Sequence, residues 1–161
     1  MRRTPFCAAA ITAALALAGP AAADPPTRVT QTISVNEPEV VWTCDNGMPV
    51  LQTYTIYRTV TTFTDASGEV VRIVRQARIV GVRFNEDQSR EVQFEARIHR
   101  VDDVRNGTRT ITGLRDSVAL PGPDARVAGQ VVFDRASLEQ IKEVGRIYAG
   151  FEDAVCDHLY G

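Results

Sequence analysis

Histidine is scarce in this 161-residue chain, with two copies, tryptophan occurs once, and lysine is represented by Lys142 alone. His99 and His158 cannot build a multi-histidine zinc site. The acidic residues nowhere follow the Asp-x-Asp-x-Asp-Gly spacing of an EF-hand loop. There is no Gly-x-Ser-x-Gly elbow and no phosphate-cradling glycine motif, so the common hydrolase and nucleotide-binding routes lose their footing and no metal or cofactor is implied. A formal net charge of −2 argues against nucleic acid as a partner. Long hydrophobic runs are missing too. The one apolar stretch, Ala8 to Leu17, falls short of the roughly 20 residues that cross a bilayer, so no membrane span is expected after processing.

What is present begins with Arg2 and Arg3, an apolar run from Phe6 to Leu17, and Ala21-Ala22-Ala23 before Asp24. This is the layout of a signal peptide, residues 1–23, cut near Ala23, and it predicts a protein secreted to the cell envelope or the medium. Cys7 precedes the apolar run, whereas a lipid-anchored cysteine would follow it. Cleavage removes Cys7 and leaves Cys44 and Cys156 in a compartment where thiols pair. Without Cys-x-x-Cys spacing the pair reads as a structural disulfide rather than a redox or metal site. The remaining residues, 24–161, suffice for one domain. Arginine in place of lysine, with abundant alanine and valine, matches a GC-rich bacterial genome.

From Arg28 to Phe133, runs rich in Thr, Val, Ile, Tyr and Phe alternate with turn residues at short intervals, which predicts a mainly all-β domain. Strands are expected at Val29–Val35, Val40–Thr43, Val50–Phe63, Glu69–Phe84, Arg90–Val101, Thr108–Leu114 and Arg126–Phe133. The turns between them carry Asp65-Ala66-Ser67-Gly68, Asn85-Glu86-Asp87-Gln88-Ser89, Asn106-Gly107 and Pro121-Gly122-Pro123-Asp124. Val92, Phe94, Ala96 and Ile98 share one face, while Glu91, Gln93, Glu95, Arg97 and His99 share the other. In Glu69–Phe84 both parities are apolar, so either both faces are covered or a bulge, with Gly81 the natural kink, changes the parity. Strands this long leave long edges in a flat sheet. The expected architecture is therefore an antiparallel up-and-down β-barrel of roughly eight strands, with a two-sheet β-sandwich as the alternative. Gly145 and Gly150 argue against one long C-terminal helix. A strand or irregular segment through Tyr148 and a short helix over Phe151–Leu159 are expected instead.

Two clusters draw attention. His99 with Asp102 or Asp103 has the composition of an oriented general base, although His99 lies on a polar strand face. Arg72, Gln76 and Arg78 share a parity and, turned inward, would hold an anionic ligand; turned outward, they would pair with Glu91 or Glu95. Tyr54, Ile56, Val60, Phe63, Phe94 and Phe133 read as core, and Trp42 as a core cap or a stacking platform.

The early cysteine, the β-meander, Gly145-Arg146-Ile147 and the ending Phe151-Glu152-Asp153-Ala154-Val155-Cys156-Asp157-His158-Leu159 resemble a group of small secreted actinobacterial proteins. The resemblance implies a lipocalin-like β-barrel and carries over no catalytic residue. The leading functional expectation is a secreted, monomeric binding module for a small apolar or amphipathic ligand or for an envelope partner. A small barrel enzyme of cyclase or isomerase type, and a protein-interaction or inhibitor domain, are the alternatives.

Overall fold

β-Branched and aromatic residues in alternation with polar ones make seven antiparallel strands, and the turns between them are built largely by aspartate. The computed structural model describes residues 24–120, 125–146 and 150–161. The signal peptide expected over residues 1–23 and the turn expected at Pro121–Asp124 lie outside these. The strands are β1 (Thr27–Thr43), β2 (Pro49–Thr64), β3 (Val70–Phe84), β4 (Glu91–Asp103), β5 (Thr108–Val118), β6 (Ala125–Asp134) and β7 (Gln140–Arg146), followed by helix α1 (Phe151–Tyr160). They form one sheet in the order β1-β2-β3-β4-β5-β6-β7, each paired with its neighbour in sequence. The mainly β, up-and-down antiparallel layout with a short terminal helix is as expected. Among the described residues there are seven strands rather than roughly eight, and all seven lie in one sheet rather than two. Among the described residues no ladder joins β1 to β7, so the sheet is not closed.

Four of the turns share one device. Asp65 accepts the backbone N–H of Ser67 and Glu69, Asp87 that of Ser89, Asp103 that of Asn106, and Asp134 those of Ala136 and Ser137. An aspartate bonded to the backbone two or three residues ahead mimics a backbone turn and reverses the chain without help from packing. The same bonds favour the ionised carboxylate, and Asp65 is lowered to about 2, chiefly by the Ser67 hydroxyl.

Two details depart from expectation. The segments Val29–Val35 and Val40–Thr43 are one strand. Its pairing with β2 shifts register between Val35 and Glu39 and again between Val40 and Trp42, so Asn36-Glu37-Pro38 bulges from a strand instead of ending it. An edge strand tolerates this because Pro38 needs no ladder partner on its open side. Gly81 is not a kink, since both ladders beside it run unbroken through it, Tyr54↔Gly81 and Gly81↔Phe94. It serves close approach: a Cβ there would sit 2.2 Å from the Thr53 carbonyl oxygen and 2.7 Å from the Phe94 ring. Both faces of β3 are partly covered instead, with Ile73, Val74, Ile79 and Val80 all half-buried.

The core gathers at one end of the strands. Phe151, Val155 and Leu159, spaced four apart on α1, are buried against Val50, Val92, Phe94 and Val118. Phe94 is the member of the expected core that becomes buried, whereas Tyr54, Ile56, Val60, Phe63 and Phe133 stay partly exposed. A Cys44–Cys156 disulfide ties α1 to the end of β1 across 112 residues of sequence. The end of α1 is further tied by Arg90 donating to the Gly161 and His158 carbonyls and by the Tyr160 hydroxyl donating to the Pro49 carbonyl.

Because the disulfide encloses most of the domain, replacing both cysteines (C44S/C156S) is expected to lower unfolding free energy by about 2–5 kcal/mol. Urea denaturation of the oxidised and variant proteins checks this, and equal midpoints would show that α1 docks without the bond.

Candidate functional site

On β4, the alternation that buries Val92, Phe94 and Ala96 continues past half-buried Ile98 to Arg100 and Asp102, which places a charged pair on the core-side face. Register then supplies the partners. Arg75 of β3 lies opposite Arg100, and Arg109 of β5 lies opposite Asp102. Asp102 is 2 % exposed. It accepts from Arg75 Nη1, from Arg100 through Nε at 3.1 Å and Nη2 at 3.0 Å, and from Arg109 Nε at 2.7 Å. Burial alone would raise its pKa, but the bonds from Arg100, Arg109 and Arg75 together outweigh burial and hold the carboxyl well below the usual aspartate range.

A second ion pair occupies the same face at the helix end. Arg83 is 3 % exposed and grips Asp116 of β5 bidentately, Nη1 to Oδ1 at 3.1 Å and Nη2 to Oδ2 at 2.5 Å. Its guanidinium carbon lies 4.2 Å from the Phe94 ring centroid, 4.7 Å from that of Trp42 and 5.8 Å from that of Phe151. A planar, weakly hydrated cation flanked by aromatic rings and matched to one carboxylate is the arrangement that makes a buried arginine tolerable. Arg83 Nε and Trp42 Nε1 are buried with no hydrogen-bond partner among the described residues. Beside them opens a crevice of about 590 Å³ between α1 and the sheet. Val41, Trp42, Val127 and Phe151 give it apolar walls, and Arg83, Arg115, Asp116, Glu152 and Asp153 give it polar ones.

The residues singled out in the sequence fall elsewhere. Arg72, Gln76 and Arg78 are exposed on the opposite face of β3. Arg78 donates to Glu95 at 2.9 Å, the outward pairing weighed from sequence, and this bond is the main reason the Glu95 carboxyl is lowered. Gln76 lies opposite His99, and with Arg78, Arg97, Tyr57 and Thr59 they line a shallow depression of about 350 Å³. Arg72 stands apart, its guanidinium 6.0 Å from the Phe63 ring. His99 and Asp102 point to opposite faces because their numbers differ in parity, and Asp103, which shares the parity of His99, accepts instead from the backbone and side-chain amides of Asn106, so neither general-base pairing forms. Trp42 caps the core, edge-on to Phe151 at 6.2 Å between centroids.

Arg75, Arg83, Arg109 and Asp116 are not singled out by the sequence. The signal that finds them is parity: Arg75 and Arg83 share it with Ile73 and Ile79, as Arg100 and Asp102 share it with Phe94 and Ile98. Among the described residues no group of three or more His, Cys, Asp or Glu side chains is placed to hold a metal, and no helix is long and apolar enough to cross a membrane.

No protein family, curated protein or solved structure matches the chain, so the resemblance to small secreted actinobacterial proteins has no support from known proteins.

Removing a buried carboxylate that neutralises arginine leaves uncompensated charge, and Asp102→Asn is expected to cost about 3–5 kcal/mol at pH 7. A carboxyl whose folded pKa lies below its unfolded value of about 3.9 stabilises above that value and loses the effect as pH falls toward the folded pKa. The gap between wild type and variant is therefore expected to narrow progressively below pH 4. Thermal unfolding of both proteins from pH 7 to pH 2.5 tests this; a gap that stays constant with pH would remove ionised Asp102 as its source.

Proposed function

We propose that this protein is a binding module working outside the reducing cytoplasm, and that it holds a small amphipathic ligand in the crevice between α1 and the sheet. The signal-peptide layout of residues 1–23 and the Cys44–Cys156 disulfide support the location. The observation that carries the ligand class is the wall composition: Trp42, Phe151, Val41 and Val127 beside the Arg83–Asp116 pair and Arg115, around about 590 Å³, a volume suited to a small organic molecule. Such walls match an apolar body with one polar end better than a purely apolar ligand. Asp102, the most buried carboxylate described, is held ionised by three arginines, which does not suit a proton-transfer role near neutral pH.

A second reading, docking of a protein partner, is favoured by one observation. Val29 and Ile33 on the edge strand β1, paired with Val60 and Ile56 of β2, are both exposed on the same face of the sheet as Arg75.

Trp42 is the only tryptophan, so its emission reports on the crevice directly. Titration with dodecanoate, dodecanol and dodecylamine is expected to give a saturable one-to-one emission change with at least one of the three. Val127→Trp, which fills the crevice, is expected to weaken that binding at least about tenfold by calorimetry. Absence of saturable binding by all three probes, or binding indifferent to Val127→Trp, overturns the crevice reading.

A further inference from the structure

The arginine cluster on β3, β4 and β5 carries more positive charge than Asp102 neutralises. Three guanidiniums face one carboxylate. Their side chains keep 33 %, 28 % and 21 % of their surface exposed for Arg75, Arg100 and Arg109, against 2 % for Asp102. The carboxylate is thus sealed behind a layer of guanidiniums that still meets solvent. Each guanidinium has five N–H donors and no acceptor, so the four bonds to Asp102 leave most donors available. Among the described residues no other carboxylate lies within ion-pair distance of the three. Glu143 of β7, in the cross-strand row Arg75↔Arg100↔Ile111↔Val131↔Glu143, is exposed and held by Gln140. Arg58 of β2, whose register partner Ala77 shares parity with Arg75, adds a further cation on this side and, among the described residues, bonds through its side chain to neutral Gln31 and to no carboxylate.

We infer that Arg75, Arg100 and Arg109 form a binding site for a doubly charged oxyanion, a phosphate or sulfate group, with Asp102 as the positioning residue that spreads the three guanidiniums into a fixed fan. Three cations less one anion leave a surplus of two positive charges, which a dianion cancels and a monocarboxylate does not. The planar forks of arginine also suit the several oxygens of a tetrahedral anion. The site is separate from the crevice. Arg75 and Arg83 are eight residues apart on one strand, roughly 26 Å at strand rise, so either site can fail without the other. The same face carries Ile73, Ile98 and Ile111 beside the arginines, so the anion has two sources: a free inorganic or sugar-type ester, or the phosphate of a lipid whose chain lies on those residues.

The test is calorimetric titration of the full mature protein with sulfate, inorganic phosphate, glycerol phosphate and short-chain dihexanoyl phosphatidic acid at constant ionic strength, with acetate as the monoanion. Sulfate and phosphate are expected to bind saturably with one site, at least about tenfold tighter than acetate. Arg109→Gln and Arg100→Gln are each expected to weaken that binding about tenfold or more, while Arg78→Gln, on the opposite face, leaves it unchanged. Circular dichroism and urea midpoints of each variant separate lost binding from lost fold. If Arg109→Gln does not fold, protection of wild-type arginines by sulfate against phenylglyoxal, read peptide by peptide, replaces it; protection confined to Arg75, Arg100 and Arg109 supports the site. Phosphatidic acid binding much tighter than glycerol phosphate assigns the anion to a lipid, and equal affinities assign it to a free ester. Dianion binding no tighter than acetate, unchanged in Arg109→Gln, or no arginine protection overturns the proposal.

Discussion

The structure depends on how a single open sheet covers its apolar face. Among the described residues, seven strands in simple succession have no second sheet to pack against, and one ten-residue helix supplies the cover. Phe151, Val155 and Leu159 pack on the sheet, Cys156 is bonded to Cys44, and Arg90 and Tyr160 tie the end of α1 to the turn region. Ten residues of helix span about 15 Å, so the helix closes one end of strands that run far longer. Apolar core therefore sits at that end, and beyond it the same face must be occupied in another way.

Arginine does that. Arg83 lies at the edge of the helix-covered core, stacked against aromatic rings and paired with Asp116, while Arg75, Arg100 and Arg109 hold the uncovered end around Asp102. The two clusters differ in charge balance. Arg83 and Asp116 cancel, which suits a wall of a crevice that takes an amphipathic molecule. The Asp102 cluster does not cancel, and its surplus faces solvent. Their shared platform is the β3–β4 ladder, among the described residues the one ladder of the sheet whose register runs without a shift. An unshifted ladder keeps side-chain parity over its whole length, and this keeps Arg75, Arg83, Arg100 and Asp102 on one side.

Much of this was legible along the chain. Three turn positions followed from local chemistry, because an aspartate that bonds the backbone two or three residues on needs no distant partner: Asp65, Asp87 and Asp103 act this way, and Asp134 does the same at a turn not expected from the sequence. The break between β7 and α1 followed from the cost of Gly145 and Gly150 in a helix. Asn36-Glu37-Pro38 misled, since a bulge on an edge strand and the end of a strand have the same composition. The charged site was legible only in part. Arg72, Gln76, Arg78 and His99 attract notice as a polar set and do lie on one face, Arg72 apart from the depression that the other three line, but that face is the solvated one. Asp102 reads locally as the start of a turn, and its burial depends on arginines contributed by three strands.

The sequence by itself determined the local grammar of this protein: where most strands run, where most of the chain reversals fall, and which helix face is apolar. These properties rest on interactions within a few residues, so they can be read in order along the chain. Tertiary structure alone decided that the sheet stays open, that α1 covers only one end of it, and that Arg75, Arg100 and Arg109 converge on one carboxylate. Those outcomes depend on register, because a cross-strand neighbour is fixed by hydrogen bonding between segments tens of residues apart, and a shift of one residue would turn every one of these charges to the opposite face.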